Sequence, residues 1–155
     1  MTGLFRPNRR PPIAFPYRST LKKDLTNSFG NVFLSIEFDN QNKWVYNNWK
    51  GYQSYENVMA GANACIEIIQ QYKCPCLLND NRQVVGPWDH ATDWIANDWT
   101  PRALKAGMKY FAHVVDKQTL AAMSAEEMHR KVGTVFEMKV FDNMEAAKAW
   151  LNQCR

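Results

Sequence analysis

Residues 77–99 read LLNDNRQVVGPWDHATDWIANDW, and this stretch carries the pattern that decides the fold. A short apolar run beginning at Cys76 leads into a dense polar segment, then the breakers Gly86 and Pro87, then a segment rich in tryptophan. The apolar run is typical of a buried strand, and the polar segment predicts a loop over residues 79–89. Because ligands of α/β proteins bind at the carboxyl ends of parallel strands, the stretch also predicts where a functional site lies.

The residues before this stretch predict a β-hairpin and a helix. Apolar and polar residues alternate from Val32, pause at the turn-forming residues 40–42, and resume. Ser54 is a suitable N-cap for a helix whose apolar residues recur at 3.6-residue spacing as far as Tyr72. After the polar segment come two helical pieces, the second of which Gly107 ends.

The C-terminal third continues the alternation of strands and helices. Residues 109–115 and 135–141 predict strands, Ser124 with Glu127 predicts a capping box, and Asp142 predicts the cap of a last helix. The order β-β-α-β-α-β-α-β-α predicts an α/β protein. Its sheet is expected to be a single mixed, mostly parallel one of about five strands, with an N-terminal hairpin and four to five helices.

Composition divides the chain into a tail and one domain. Residues 1–30 contain six basic residues, one acidic residue and four of the seven prolines, which predicts a disordered basic tail or an interaction arm. Residues 31–155 carry 13 basic and 14 acidic residues and predict one α/β domain. That near-neutral balance argues against a nucleic-acid partner.

Four classes of protein are disfavoured by simple patterns. The four cysteines have neither C-x-x-C spacing nor a histidine pair, so we expect neither a zinc site nor dithiol chemistry. The sequence contains neither the roughly 18 apolar residues of a transmembrane segment nor an apolar secretory signal. The expectation is therefore a cytoplasmic protein without a transmembrane segment.

Four consecutive polar residues are candidate contact residues: Asn79, Asp80, Asn81 and Arg82. Their amide, carboxylate and guanidinium groups suit a small polar ligand or a peptide. The alternative is an Asx-type turn with a surface ion pair between Asp80 and Arg82, and the sequence leaves both open.

The tryptophans that follow are candidates for an aromatic wall. Trp88, Trp94 and Trp99 are separated by six and five residues, which spreads them around a helix axis. We therefore expect at least one indole to be exposed or to line a cavity, as the wall of a site for an apolar ligand or as an anchor in an interface, including that of a homodimer. Packing in the core is the competing interpretation.

The same segment contains residues that metals and acid–base catalysis use. Asp89, His90 and Asp93 have helical spacing that can reach one ion. However, Asp89 is also favoured at a helix N-terminus, and Asp93 suits a solvated face. We assign no catalytic residue, metal or cofactor, and keep His90 as a candidate contact residue; His113, inside a strand, is expected to be a core histidine.

The element order and three segments resemble the SpoIIAA-like branch of the STAS superfamily between about Val32 and Leu151. The segments are FLSIEFDNQNKWVYNNWKGY, LLNDNRQVVGPW and FDNMEAAKAWL, of which the last is the most specific. They are also similar to uncharacterised bacterial proteins described as STAS or SEC14-related. The resemblance implies a small non-enzymatic regulatory or ligand-binding module whose surface after the third strand meets a partner. Anti-sigma antagonists of the superfamily have a phosphorylated serine there, but residues 79–89 contain no Ser, Thr or Tyr, so that switch is not expected here.

These observations support three hypotheses about function. The leading one is a regulatory STAS-like module that binds a protein partner. The second is a carrier or sensor of a small apolar or lipid-like ligand in a tryptophan-lined cleft. The third is a metal- or carboxylate-dependent enzyme.

Overall fold

Six strands lie side by side in chain order and form a single mixed sheet in the computed structural model, which describes residues 21–154. The strands are β1 (Leu21–Thr26), β2 (Val32–Asp39), β3 (Trp44–Gly51), β4 (Cys76–Val84), β5 (Tyr110–Val114) and β6 (Glu137–Phe141). Strands β1, β2 and β3 are antiparallel neighbours, whereas β3 to β6 are parallel. The predicted α/β class and N-terminal hairpin are confirmed, and the predicted count of about five strands is one too low.

Four helical segments flank the sheet: α1 (Tyr55–Tyr72), α2 (residues 89–106), α3 (Leu120–Val132) and α4 (Met144–Gln153). Side chains of α1, α2 and α3 meet one face of the sheet, and side chains of α4 meet the other. No helix within residues 21–154 has the length and apolar character needed to cross a membrane.

Helix α2 is irregular. It begins with a 3-10 turn (Asp89–Ala91) and an α-helical turn (Thr92–Trp94), continues as a π turn (Ile95–Trp99), and ends as an α-helix (Thr100–Ala106). Pro101 explains the π turn, because it has no N–H for an i→i−4 bond and its ring crowds the preceding turn. The two predicted helical pieces are thus parts of one continuous segment.

Two predicted helix signals are confirmed and two are wrong. The Ser54 side chain accepts a hydrogen bond from the Asn57 N–H at 3.1 Å, and Gly107 ends α2 in the left-handed conformation. The caps of α3 and α4 are instead Thr119 and Asn143. The predicted caps failed because Ser124 is buried inside α3, and because the Asn143 side chain, rather than that of Asp142, accepts from an N–H of the first turn of α4.

One strand is longer than the sequence indicates, and another was not predicted. Strand β4 continues to Val84, so the predicted loop over residues 79–89 is wrong and the connection to α2 is residues 85–88. Strand β1 lies within the predicted tail, so that prediction is wrong for residues 21–26, and residues 1–20 lie outside the described part. The sequence pattern does not predict β1 because it is an edge strand with charged, exposed side chains between two leucines.

The core fills the space between the sheet and α1, where Leu34, Ile36, Ile69 and Leu77 are almost completely buried. Helix α1 approaches β2 and β3 so closely that only glycine fits at position 61. A Cβ there would lie 2.6 Å from Leu34 Cδ2 and within 3 Å of the Trp49 ring. This contact fixes where Trp49 lies.

We expect Gly61→Ala to destabilise the protein by about 1–3 kcal/mol, because the added methyl group overpacks the core against Trp49. In an unconstrained helix the same change would stabilise, since alanine has the higher helix propensity. Urea denaturation measures the free energy of unfolding, and Ala60→Gly at the exposed neighbouring position is the control, with an expected loss of about 1 kcal/mol. A Gly61→Ala protein at least as stable as the wild type would contradict this account of the close approach.

Candidate functional site

A cavity of about 50 Å³ lies between the sheet and helices α1, α2 and α3. It is near the carboxyl ends of β3, β4 and β5, the position at which α/β sheets commonly bind ligands. Much of its wall is apolar and comes from both the sheet and the helices. The apolar residues include Val58, Ala62, Leu77, Ile95, Phe111 and Met128.

Three tryptophans contribute to the wall of the cavity: Trp49 from β3, Trp88 before α2, and Trp99 from α2. The Trp99 indole N–H donates to the carbonyl oxygen of Ala62 at 2.7 Å, and the Trp49 indole N–H donates to Asn79 Oδ1 at 2.8 Å. Trp88 stacks against the His113 ring at a centroid distance of 5.9 Å. Two of the three indoles are therefore fixed by hydrogen bonds as well as by packing.

The side chain of Asn79 joins three neighbouring strands. Its Oδ1 accepts from Trp49 on β3, and its Nδ2 lies 3.3 Å from Asn81 Oδ1 on β4 and 3.2 Å from His113 Nε2 on β5. An indole N–H is only a donor, so it determines which end of the Asn79 amide is oxygen. The Asn79 nitrogen then donates to His113 Nε2, which leaves the imidazole proton on Nδ1.

His113 is completely buried, and its burial is the main reason that its pKa falls from 6.5 to about 3. The charge of His129 lowers the pKa of His113 further, whereas the carboxylate of Asp80 opposes the change. The imidazole is therefore neutral at physiological pH. This outcome agrees with the predicted core histidine, but places it in the wall of a cavity.

Four buried polar atoms of the cavity residues have no hydrogen-bond partner within residues 21–154. They are Asn47 Oδ1, Gln53 Oε1, Trp88 Nε1 and His113 Nδ1. Leaving a buried polar atom unpaired costs about 1–3 kcal/mol, and native proteins contain few such atoms. Four of the six such atoms within residues 21–154 belong to residues around this one cavity, which makes it the candidate functional site.

The predicted contact residues are divided between the two faces of the sheet. Asn79, Asn81, Trp88 and Trp99 line the cavity. Asp80 and Arg82 do not, because successive side chains of a strand point to opposite faces, and β4 continues through all four polar positions. The four residues predicted as one contact surface therefore do not share a face of the sheet.

Asp80 and Arg82 instead form an ion pair on the α4 side of the sheet. Arg82 donates to both carboxylate oxygens of Asp80 at 3.0 and 2.9 Å, and the Tyr46 hydroxyl donates to the second oxygen at 2.8 Å. Burial alone would raise the pKa of Asp80, but the hydrogen bonds from Arg82 and Tyr46 outweigh it and lower that pKa. The arrangement satisfies a buried carboxylate, which favours the structural interpretation of this pair.

His90 and Trp94 lie outside the cavity. His90 is exposed, with its ring 6.5 Å from that of Tyr52, and Trp94 is half-buried between Tyr55 and the guanidinium group of Arg102. We call the exposed Val85 and the two ring pairs, Tyr52 with His90 and Tyr55 with Trp94, the apolar patch.

Several cavity residues were missed as site residues: Asn47, Trp49, Gln53 and His113. A usable signal was present in β3, where Asn47 lies between Val45 and Trp49 on the same side of the strand. A polar residue in such a buried row requires a partner. Gln53 gave no comparable signal, because its burial depends on the path of the chain between β3 and α1.

The chemistry available to the cavity residues is that of neutral groups. Burial raises the pKa of the Cys65 thiol to about 12, so this sulfur stays protonated at physiological pH and is a poor nucleophile. Within residues 21–154, no three His, Cys, Asp or Glu residues are grouped so that they could hold a metal ion. Asp89, His90 and Asp93 therefore do not form the metal site that their spacing allowed.

Comparison of the chain with protein-family models, with curated proteins and with solved structures finds no match.

We expect the stability of the protein to decrease as the pH falls below 6.5, in part because of His113. The unfolded chain binds a proton near pH 6.5, whereas folded His113 does not until about pH 3. The free energy of unfolding should therefore fall by up to about 1.4 kcal/mol per pH unit from this residue. Urea denaturation between pH 7 and 4.5 should show a shallower decrease for His113→Gln, whose amide oxygen still accepts from Asn79, and an unchanged one for the exposed control His90→Gln. Equal slopes for the wild type and His113→Gln would show that His113 is not held neutral.

Proposed function

We propose that this protein binds a small molecule in the cavity between the sheet and helices α1 to α3, as a carrier or a sensor. The observation that carries the proposal is the group of four unpaired polar atoms in a largely apolar wall. Apolar lining with a few fixed polar groups is the usual composition of small-molecule sites. A ligand that pairs with these atoms removes the cost of leaving them unsatisfied.

The size of the cavity limits the ligand. A cavity of roughly 150 Å³ accommodates benzene, and this one measures about 50 Å³. The proposal therefore replaces the lipid-like ligand expected from sequence with a compact molecule of a few heavy atoms.

The proposal gives no residue a catalytic role. A catalytic site needs a nucleophile or base together with a group that orients it. Here His113 Nε2 accepts from an amide, and the buried thiol of Cys65 remains protonated.

A second candidate function is a protein-binding module, as the resemblance to STAS proteins implies. The observation that favours it is the apolar patch, in which Tyr52 is 62% and Val85 64% exposed. Exposed aromatic side chains that are already close to one another are common in protein interfaces. The patch adjoins residues 85–88, so a partner bound there would contact the same connection that carries Trp88.

We expect compounds that bind the cavity to shift the indole N–H signals of Trp49, Trp88 and Trp99 in 1H–15N NMR spectra, with little change at Trp94. A library of molecules with about three to five heavy atoms, fewer than benzene has, is a suitable screen. Ala62→Val should abolish the shifts because its two added methyl groups enter the cavity. Ala60→Val, on the exposed side of α1, should leave them unchanged. The absence of any shift in the wild type across the library would contradict the proposed function.

If the apolar patch binds a protein, the double variant Tyr52→Ser, Val85→Ser should lose that partner, because its exposed apolar contacts are removed. Cross-linking in cells followed by mass spectrometry identifies the partner, whether another protein or a second copy of this chain. Ala62→Val, which alters the cavity but leaves the patch intact, is the control and should retain it. The same partners at the same abundance for all three proteins would exclude the patch as an interface.

A further inference from the structure

Hydrogen bonds to neighbouring groups determine which end of each buried amide in the cavity wall is a donor and which is an acceptor. The Gln53 amide nitrogen donates to the backbone carbonyl oxygens of Lys50 at 2.9 Å and Phe33 at 3.3 Å. Because backbone carbonyls accept only, this end of the amide is the nitrogen, and Oε1 is left as an acceptor. Asn47 is oriented in the same sense, since its Nδ2 lies 3.5 Å from the acceptor Asn79 Oδ1.

The two remaining unpaired atoms are donors. The indole N–H of Trp88 can only donate, and His113 carries its proton on Nδ1 because Nε2 accepts from Asn79. The stacked contact between the Trp88 and His113 rings brings these donor-bearing groups together. Among the described residues of the cavity wall, the buried polar atoms without a partner are therefore two acceptors and two donors.

The absence of charged side chains from the described part of the wall limits the class of ligand further. Among residues 21–154, none of those that line the cavity is Asp, Glu, Lys or Arg. Asp80 and Arg82 are the charged residues next in sequence to the cavity residues Asn79 and Asn81. They pair with each other on the other face of the sheet. Burying an unpaired charge is far more costly than burying a neutral polar group, so a carboxylate or an ammonium group is poorly matched to this site.

We infer that the cavity binds a small uncharged molecule with an amide or urea group. Its N–H groups donate to Asn47 Oδ1 and Gln53 Oε1, and its carbonyl oxygen accepts from the donors of the Trp88–His113 ring pair. This inference rests on the proposed function and names the ligand class of the same cavity. The planar N–C=O group supplies both hydrogen-bonding roles within three or four heavy atoms, which suits a cavity smaller than one that holds benzene.

The experiment uses probes that share a shape but differ in charge or in donors. Acetamide is compared with acetate and acetone, and urea at non-denaturing concentrations with guanidinium. Dissociation constants come from titrations of the full chain followed by the indole N–H signals of Trp49 and Trp99. Acetamide and urea should bind at least about tenfold more tightly than their charged counterparts, and acetone, which lacks N–H donors, more weakly than acetamide.

Two variants test the assigned donor. Trp88→Phe keeps an aromatic ring against His113 but removes the N–H, and should weaken binding of acetamide and urea about tenfold, the usual effect of one net hydrogen bond. The matched control Trp94→Phe, outside the cavity, should leave both affinities unchanged.

The comparison among probes in the wild type does not depend on the stability of any variant. Equal binding of the neutral and charged probes, or equal effects of the two tryptophan substitutions, would overturn the inference. A screen in which other compounds bind but amides and ureas do not would also overturn the inference. Each of these results would leave the proposed binding of a small molecule in the cavity intact. If neither these probes nor any library compound shifts the indole signals, the proposed function fails together with the inference.

Discussion

The hydrogen bonds of the Asn79 side chain are the interaction on which the rest of this site depends. One buried amide joins β3, β4 and β5 through Trp49, Asn81 and His113. It satisfies an indole N–H that would otherwise be unpaired in the core, and it sets the tautomer of the histidine. The orientation of this amide, at the centre of the sheet, therefore determines the acceptor on Asn47 and the donor on His113.

The two faces of β4 serve different purposes. Asn79 and Asn81 point towards the helices that enclose the cavity, while Asp80 and Arg82 point towards α4 and satisfy each other. The alternation keeps Asp80 and Arg82, the charged side chains among residues 79–82, away from the cavity. A strand in the middle of a sheet can carry four polar residues in succession only because each face provides partners for them.

The fold could be predicted from the sequence where local signals decide it. The hairpin, the cap at Ser54 and the end of α2 at Gly107 follow from alternation, side-chain hydrogen bonding and a left-handed backbone, all of which depend on neighbouring residues. The extent of β4 could not be predicted in this way, because its polar side chains are stabilised by Trp49 and His113, which are distant in sequence. Likewise β1, with few apolar side chains, is a strand because β2 offers it hydrogen bonds.

The candidate site was predictable only in part for the same reason. Asn79, Asn81, Trp88 and Trp99 were recognised from their local pattern, whereas Gln53 and His113 gain their role from contacts across the fold. Polarity alone also could not separate Asp80 from Asn79, since the assumed loop has no alternating faces. Once residues 79–82 are placed in a strand, alternation of its faces separates Asn79 and Asn81 from Asp80 and Arg82.

The neutrality of the cavity lining has a consequence for how a ligand reaches it. Without a formal charge at the site, no long-range field from these residues attracts a ligand, and ionic strength has little to screen. The rate of association is then governed by diffusion and by passage through the protein surface, and discrimination arises after water has been removed from both partners. The affinity and the association rate of a ligand of this cavity should accordingly depend only weakly on salt concentration.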